Sequence, residues 1–526
     1  MTEARQPQTR RLHPLSFVFA LGGLIRSLAA PVLAFAVLGR SVDRIHLIGM
    51  LLLAGATLWA LLRTRAYSYE LGPGELLVRE GLLDRTQRHI PFARIHNISQ
   101  RRMLLHRLLG VTELRLESAS GAKPEAVMRV LGVEAARSLE QILRGQQPEE
   151  QPEEHREGSA EPATGSAGEA APPSISDTPS VLHALSSGEI LRLGLTSNRG
   201  LLVVVIALGT AFQQEFLRRQ FAAWMGVSGL WLRNQLFQQV QGQRWQGALL
   251  ELMLAGLLLF VLLRLLSVVL AFVRYHGFRL EQHGEQLIAV HGLLTQVRAG
   301  ARLPRLQRWQ IDETWWHRRF GRCRLGVAVA GSMHGSGSHG AEPGVQFKEL
   351  APIARWQQAQ ALLKVCLPTL DWPALQWQPL HAVFARRLWR QARWALPLAF
   401  GLLACSAVGL IALSVPAALA VVLLLGGAWL AYLRLWARFA AYAVAGDVVL
   451  YRSGLWHRRW VIVAMPRLQS LRLYSTPLDR RLGVRSLQAD TQGGSKSHRA
   501  LDIPCLKQEI AQGLRTQAWQ AMQRAP

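Results

Sequence analysis

His106 stands beside Arg107, His317 beside Arg318 and Asp479 beside Arg480. A titratable side chain next to a fixed cation is raw material for proton transfer, because the neighbouring charge tunes its pKa. The three pairs occupy the same place in three unlike copies of one repeat, however, and one active site does not need three versions of one position. His334 and His339 lie in the glycine-rich stretch GSMHGSGSHG. Two imidazoles in such a loop make a poor metal set, and no G-K-[ST] follows to turn it into a phosphate loop. Cys323, Cys366, Cys405 and Cys505 are far apart, with no C-x-x-C spacing, so they form neither a disulfide framework nor a zinc site. No H-E-x-x-H, G-x-S-x-G or kinase signature is present. The expectation is a protein that is not an enzyme, with no catalytic residue, no metal and no cofactor.

The repeat is the strongest signal in the chain. Three blocks align: GLLDRTQRHIPFARIHNISQRRMLLHRLLG, GLLTQVRAGARLPRLQRWQIDETWWHRRFG and GLWHRRWVIVAMPRLQSLRLYSTPLDRRLG. Gly81, Gly292 and Gly454 open them; Arg94, Arg305 and Arg467 follow 13 residues later, and Gly110, Gly321 and Gly483 come 16 beyond those. Arg107, Arg318 and Arg480 stand three residues before that last Gly. Four positions in fixed register, three times, define an internal repeat. Turns needing positive φ are the simplest reason for the glycines. Arg94, Arg305 and Arg467 could hold lipid phosphate, but bonding carbonyls or a carboxylate within their own domain is the stronger expectation. Trp315 and Trp316 fall where the other copies have Leu104–Leu105 and Pro477–Leu478, and are expected to pack in a core or interface.

Short β-forming runs follow turn residues in each copy, as in ELLVREGLL and VVLYRSGLW. TELRLES alternates with period two, so one face packs and the other is wet. Each copy closes in a helical pattern, at Val133–Leu143, Ile353–Val365 and Lys507–Met522. Strands followed by one helix suggest a small antiparallel barrel or sandwich plugged by that helix.

What positions these blocks is apolar. Half of the 526 residues are apolar, yet 60 are basic and the net charge is +26. Both facts fit a chain in which the two kinds are segregated, with the cations facing an anionic membrane. Six apolar stretches fall in three pairs: Phe17–Leu38 with Ile45–Leu62, Leu201–Leu217 with Gly247–Val273, and Ala395–Val415 with Ala417–Leu433. A bilayer core needs about 20 helical residues, so these predict six spans in three hairpins; Leu201–Leu217 is the weakest. Arginines flank the outer ends of the pairs, which places both termini and the long hydrophilic regions in the cytoplasm. Arg26 and Arg264 interrupt spans. Because a mid-membrane Arg costs at least about 2.5–3.5 kcal/mol, both are expected to snorkel to cytoplasmic headgroups and line no pore, and a Lys at 264 is expected to serve as well. Residues 146–180 hold eight acids, one Arg and six Pro, a composition that cannot bury enough to fold and reads as a solvated linker.

The hairpins followed by IPFARIHNIS…HRLLG, LPRLQRW…HRRFG and MPRLQSL…DRRLG resemble the bacterial pleckstrin-homology (PH-like) membrane proteins, the YdbT-like, membrane-flanked domain group. The resemblance covers nearly the whole chain and implies domains of about seven strands and a helix. It divides the chain into a hairpin at 14–65, a PH-like domain at 66–145, the linker 146–180, a hairpin at 181–273, a domain at 274–367, a hairpin with a basic, Trp-rich lead-in at 368–436, and a domain at 437–524. Eukaryotic relatives often bind inositol phosphates through basic first strands, but Tyr69–Leu83 holds Glu70, Glu75 and Glu80 against Arg79, so that ligand is not expected. The expected protein is a multi-pass scaffold or sensor of the bacterial cytoplasmic (inner) membrane. Its partners would be the bilayer, anionic lipid headgroups, and a second copy or a paralogous membrane protein, and not nucleic acid. The alternative is a transporter or channel with its pore between the hairpins.

Overall fold

The structure, a computed structural model, describes residues 9–11, 67–72, 74–80, 85–92, 95–118, 126–145, 180–213, 245–330, 347–391, 414–491 and 500–524, with a few isolated positions besides. The first hairpin with Arg26, the linker up to residue 179, Gly81, Arg94, His334, His339, Cys405 and the first helix of the third pair lie outside the described residues.

The chain is three copies of one unit, each with seven described strands. The first contains β1 (Thr9–Arg11), β2 (Ser68–Leu71), β3 (Glu75–Glu80), β4 (Thr86–Pro91), β5 (Ile95–Met103), the one-turn α1 (Leu104–Leu108), β6 (Val111–Ser118), β7 (Ala126–Gly132) and the closing α2 (Val133–Gly145). The second contains β8 (Ser180–Ala184), three long-range helices α3 (Ser187–Thr196), α4 (Arg199–Gln213) and α5 (Trp245–Tyr275), then β9 (Arg279–His283), β10 (Gln286–His291), β11 (Thr295–Arg302), β12 (Leu306–Thr314), α6 (Trp315–Arg319), β13 (Arg322–Val329), β14 (Glu349–Arg355) and α7 (Trp356–Cys366). The third contains β15 (Gln378–Pro379), α8 (Val383–Gln391), α9 (Val415–Phe439), β16 (Ala441–Ala445), β17 (Val448–Ser453), β18 (His457–Ala464), β19 (Leu468–Tyr474), α10 (Pro477–Arg481), β20 (Val484–Thr491), β21 (Leu501–Lys507) and α11 (Gln508–Gln523).

Local pattern explains the elements. In β13, Cys323, Leu325 and Val327 point into the core while Arg322 and Arg324 alternate with them on a half-buried face. Fully burying a side chain such as Leu325 or Ile311 contributes about 1.5–3 kcal/mol. Helix α7 buries Ala359, Leu362, Leu363 and Cys366, the spacing of one helical stripe. The continuous apolar run of β17 has a different cause. Val448 and Leu450 join the core of the second unit, whereas Val449 and Tyr451 join that of the third. A strand buried on both faces has no wet side to alternate with.

That double burial follows from the sheet order. The units do not close into barrels, as the sequence pattern had suggested. Four sheets run along the chain in the orders β1-β2-β3-β4, β7-β6-β5-β11-β10-β9-β8, β14-β13-β12-β18-β17-β16-β15 and β19-β20-β21. The last three strands of one unit are thus hydrogen-bonded to the first four of the next. The junction between the first and second units pairs β5 with β11 from Met103↔Thr295 to Ser99↔Ala299. The junction between the second and third pairs β12 with β18 from Thr314↔His457 to Arg308↔Val463. The register is the same in both: Met103 and Thr314 each stand seven residues before their repeat glycine (Gly110, Gly321), and Thr295 and His457 each stand three after theirs (Gly292, Gly454). The lead-in strands β1, β8 and β15 complete the sheets. Sequence reading had counted β8 and β15 within the hairpin regions.

By length and composition, two described helices can cross a membrane, Leu250–Tyr275 and Pro416–Phe439. The helices α3 and α4 pass the same test as a pair, bent by 54° at their break. Of the six expected spans, two candidates, or three with the bent pair, fall among the described residues. Along α5, side chains such as Leu252, Met253, Leu257 and Leu258 are exposed, an apolar surface that lipid can cover.

Candidate functional site

In the second and third copies the repeated His/His/Asp position takes part in a helix cap. Thr314 is the N-cap of α6 and accepts from the His317 N–H, while the His317 ring returns to the Thr314 backbone and lies 2.6 Å from its hydroxyl. In the third copy Asp479 accepts from the Thr476 N–H at 3.0 Å and donates its own N–H to the Thr476 hydroxyl. This reciprocal capping box satisfies two backbone donors at once. His106 is buried at the same position. Burial, with the nearby His457 and Arg324 charges, pushes the His317 pKa down to about 4. The ring is neutral at pH 7 and rests against the Thr196 hydroxyl. Cys323 is pushed up to about 12 and Cys366 to about 11, both chiefly by burial, and neither is a ready thiolate. Among the described residues, no three His, Cys, Asp or Glu side chains are grouped to hold a metal ion.

The repeated glycines end tight turns. Gly110, Gly321 and Gly483 adopt φ of +66°, +60° and +65°, and each donates its N–H to the carbonyl of the repeated Arg107, Arg318 or Arg480. Gly292 and Gly454 also have positive φ, and there a Cβ would run into the carbonyls of Thr295 and His457.

Three of the repeated arginines reach across the junctions between units. Arg107 donates to the Leu293 carbonyl at 3.2 Å and Arg318 to the Leu455 carbonyl at 2.9 Å. Arg467 donates to the Leu306 carbonyl and lies over the Trp309 ring at 5.2 Å. The expectation that such an Arg binds carbonyls holds for Arg467, but the carbonyl belongs to the neighbouring unit and not to its own. Arg305 is half-buried, and Arg480 is exposed. The second junction adds charge. Asp312 accepts from Arg459 at 2.9 Å and stands 3.3 Å from His457. Burial alone would raise the Asp312 carboxyl, but the His457 and Arg459 hydrogen bonds and charge outweigh it and hold it at about 2.

Beside these arginines runs an apolar rim. Helix α1 exposes Leu104, Leu105 and Leu108, the last at 82%; α6 and its end expose Trp315, Trp316 and Phe320; the turns they touch expose Leu293, Leu294 and Trp456. Of the core or interface expected for the Trp pair, the core is excluded: its rings meet edge-on at 4.8 Å on the surface. Aromatic and Leu side chains set among arginines suit the headgroup layer. Arg264 of α5 ties that rim to a candidate span, with its guanidinium 5.5 Å from the Trp316 ring and 4.9 Å from Phe260. It donates to the carbonyls of Leu195 and Ser197 and to Asn198 Oδ1, at 3.0–3.2 Å, and so caps the break between α3 and α4.

The foot of α5 is bolted to the second unit. The Tyr275 hydroxyl donates to Glu349 at 2.7 Å and accepts from Arg199 at 2.8 Å, and Arg324 pairs with the same Glu349. Burial opposes ionisation of Glu349, but the Arg324 charge and the Tyr275 hydrogen bond prevail and its pKa lies below the usual value. Arg322 grips Glu189 of α3 with two hydrogen bonds of 2.6 and 2.9 Å, a bidentate geometry. Sequence spacing carried no signal for Glu189, Glu349 or Tyr275, which come together from three distant segments.

No curated protein and no solved structure matches the chain. The family model for the bacterial PH domain matches three times, over residues 18–147, 202–361 and 398–521. Each match takes in one of the apolar pairs and most of the sheet unit that follows it, and the chain belongs to the bacterial PH domain family.

Proposed function

We propose that this protein is a non-enzymatic scaffold or sensor of the cytoplasmic membrane, with its PH-like units on the cytoplasmic face and binding other proteins there. The observation that carries the reading is the use of unit edges. At both internal junctions a PH-like unit recognises a neighbour by adding strands to its sheet, and backbone pairing of this kind gives affinity with little demand on side-chain identity. The apolar rim with Arg107, Arg318 and Arg319 suits an anionic headgroup layer, which would hold the units flat against the bilayer. The six-span topology with both termini in the cytoplasm belongs to the same proposal. A transporter would want open carbonyls or a wet cavity at a helix break, whereas the carbonyls at the α3–α4 break are taken by Arg264. The test pairs affinity purification in mild detergent with a flux assay in liposomes. A partner recovered in near-equal amount, with no solute flux above protein-free liposomes, supports the scaffold; solute flux that depends on the protein defeats it.

A further inference from the structure

The second junction gathers three arginines around the foot of a candidate span. Arg452 donates its Nε–H at 3.0 Å to the carbonyl of Phe439, the last residue of α9. The Arg452 and Arg458 guanidiniums lie 5.0 and 4.5 Å from the centroid of the Phe439 ring. Arg318 comes in from α6 and binds the Leu455 carbonyl in the turn before β18. Glu313 faces Arg458 across the β12–β18 ladder at a loose 3.7 Å. Among the described residues it is the carboxylate paired with any of the three. Burial lowers the Arg458 pKa, the Arg318 charge lowers it further, and Glu313 offsets only part of this. Burial also raises the Glu313 carboxyl despite both arginines, so it is a weak counter-charge. Two donors are orphaned as well. Among the described residues, the Nε atoms of Arg318 and Arg458 are buried with no hydrogen-bond acceptor. At the equivalent place of the first junction Arg102 faces Gln296, and the Arg102 Nε is likewise buried without an acceptor.

We infer that the second junction holds the phosphate of an anionic phospholipid between Arg318 and Arg458, with Arg452 beside them. The inference deepens the proposed membrane function and rests on its placing the units against the cytoplasmic leaflet. A phosphate suits the site because its oxygens accept from several guanidinium N–H groups at once. A buried donor without an acceptor is costly, and a small turn of either side chain onto a phosphate oxygen satisfies it. Position makes the source a lipid. The cluster sits at the last residue of a helix able to cross a membrane. The exposed Trp456 stands in the adjoining turn, and Trp is at home at the depth of the headgroups. An anionic head fits better than a choline head, whose quaternary ammonium would meet the same three cations. Because the contact is largely electrostatic, it weakens as salt is raised.

The test is native mass spectrometry of the full chain in mild detergent, titrated with phosphatidylglycerol or phosphatidylcholine. Hydrogen exchange over residues 454–459, read in nanodiscs of either lipid, locates the effect. The expected result is preferential retention of phosphatidylglycerol and slower exchange in that turn. Arg458→Gln should weaken the retention about tenfold. Glu313→Gln, which removes the competing carboxylate, should strengthen it about threefold, a gain that a misfolded protein does not produce. Arg515→Gln, at an exposed position of α11, should leave it unchanged. Equal retention of the two lipids overturns the inference, as does retention that responds to neither Arg458→Gln nor Glu313→Gln. Inorganic phosphate that slows exchange in the turn as well as phosphatidylglycerol does also overturns it, by assigning the site to a soluble anion. Loss of the lipid preference, with a protein partner still recovered and no solute flux, sinks the lipid site and leaves the scaffold reading intact. The preference in a chain that conducts solute does the reverse.

Discussion

At the scale of the residue, similar glycines carry different burdens. Gly321 has φ of +60° with open space around it, so Gly321→Val meets only backbone strain and should cost about 1–3 kcal/mol. At Gly292 a Cβ would meet the Thr295 carbonyl as well, so even Gly292→Ala should cost more than Gly321→Ala. Unfolding of the full chain is the measurement, because an isolated 274–367 fragment lacks β8 and both junction partners. His317 supplies a pH dependence. Its folded pKa of about 4 lies below its value of 6.5 when unfolded, so folding favours the neutral ring. The stability this contributes is complete above pH 6.5 and is lost as pH falls toward 4. We expect about 2–3 kcal/mol of lost stability between pH 7 and 4.5, read by hydrogen exchange in the second unit. His317→Asn, which can still cap and does not titrate, should flatten that slope; an unchanged slope would remove His317 as its source.

At the scale of the element, the arginines that join structures are not exchangeable for lysine. Arg264 spreads three hydrogen bonds over two carbonyls and an amide while its plane rests against two rings. A lysine offers a compact charge without the plane. Arg264→Lys should therefore loosen the α3–α4 break, against the expectation that a snorkelling Lys would serve equally. Faster exchange at Ser197–Leu202 would report it, and wild-type protection there would refute it. Arg467→Ala removes a charged donor from the Leu306 carbonyl across the second junction. It should cost about 1.5–3 kcal/mol, seen as faster exchange along β12 with α11 unaffected. Loss confined to the third unit would instead mean that Arg467 serves its own fold.

At the scale of the molecule, the sheets make the three units one mechanical object while the helices anchor it. Glu349 and Tyr275 tie the foot of α5 to the second unit, so tilting that helix must move the sheet β11-β10-β9-β8 and, through β5, the first unit. The linker 146–180 interrupts this only in sequence, because the units on either side of it are paired across β5 and β11. Limited proteolysis should cut first within that linker, and the two products should remain associated under native conditions until the sheet is denatured. Reporter fusions after Arg144, Leu363 and Arg515 should all report cytoplasm; one reporting the far side would sink the proposed topology.

Much of this was legible in the order of residues alone. The triple repeat, the closing helices, the glycine turns and the longest apolar helices are local, since turn chemistry and periodicity act over a few residues. The family followed from the same motifs. What the order of residues could not show was which edges pair. The run of β17 was legible as a β-forming stretch, but not that it is buried on both faces or that the two faces belong to different units. Backbone pairing is read by almost any side chain, so the β5–β11 and β12–β18 ladders left no motif to find. The repeated arginines were visible as a pattern, yet whether their acceptors lay in their own unit or the next depended on a contact between residues 186 or 137 apart in the chain. Arg264 was visible as a costly charge in an apolar run, but its partners became available only where α3 and α4 break beside it. Tertiary structure decided these points because the groups concerned are backbone carbonyls, which every residue has and no sequence distinguishes.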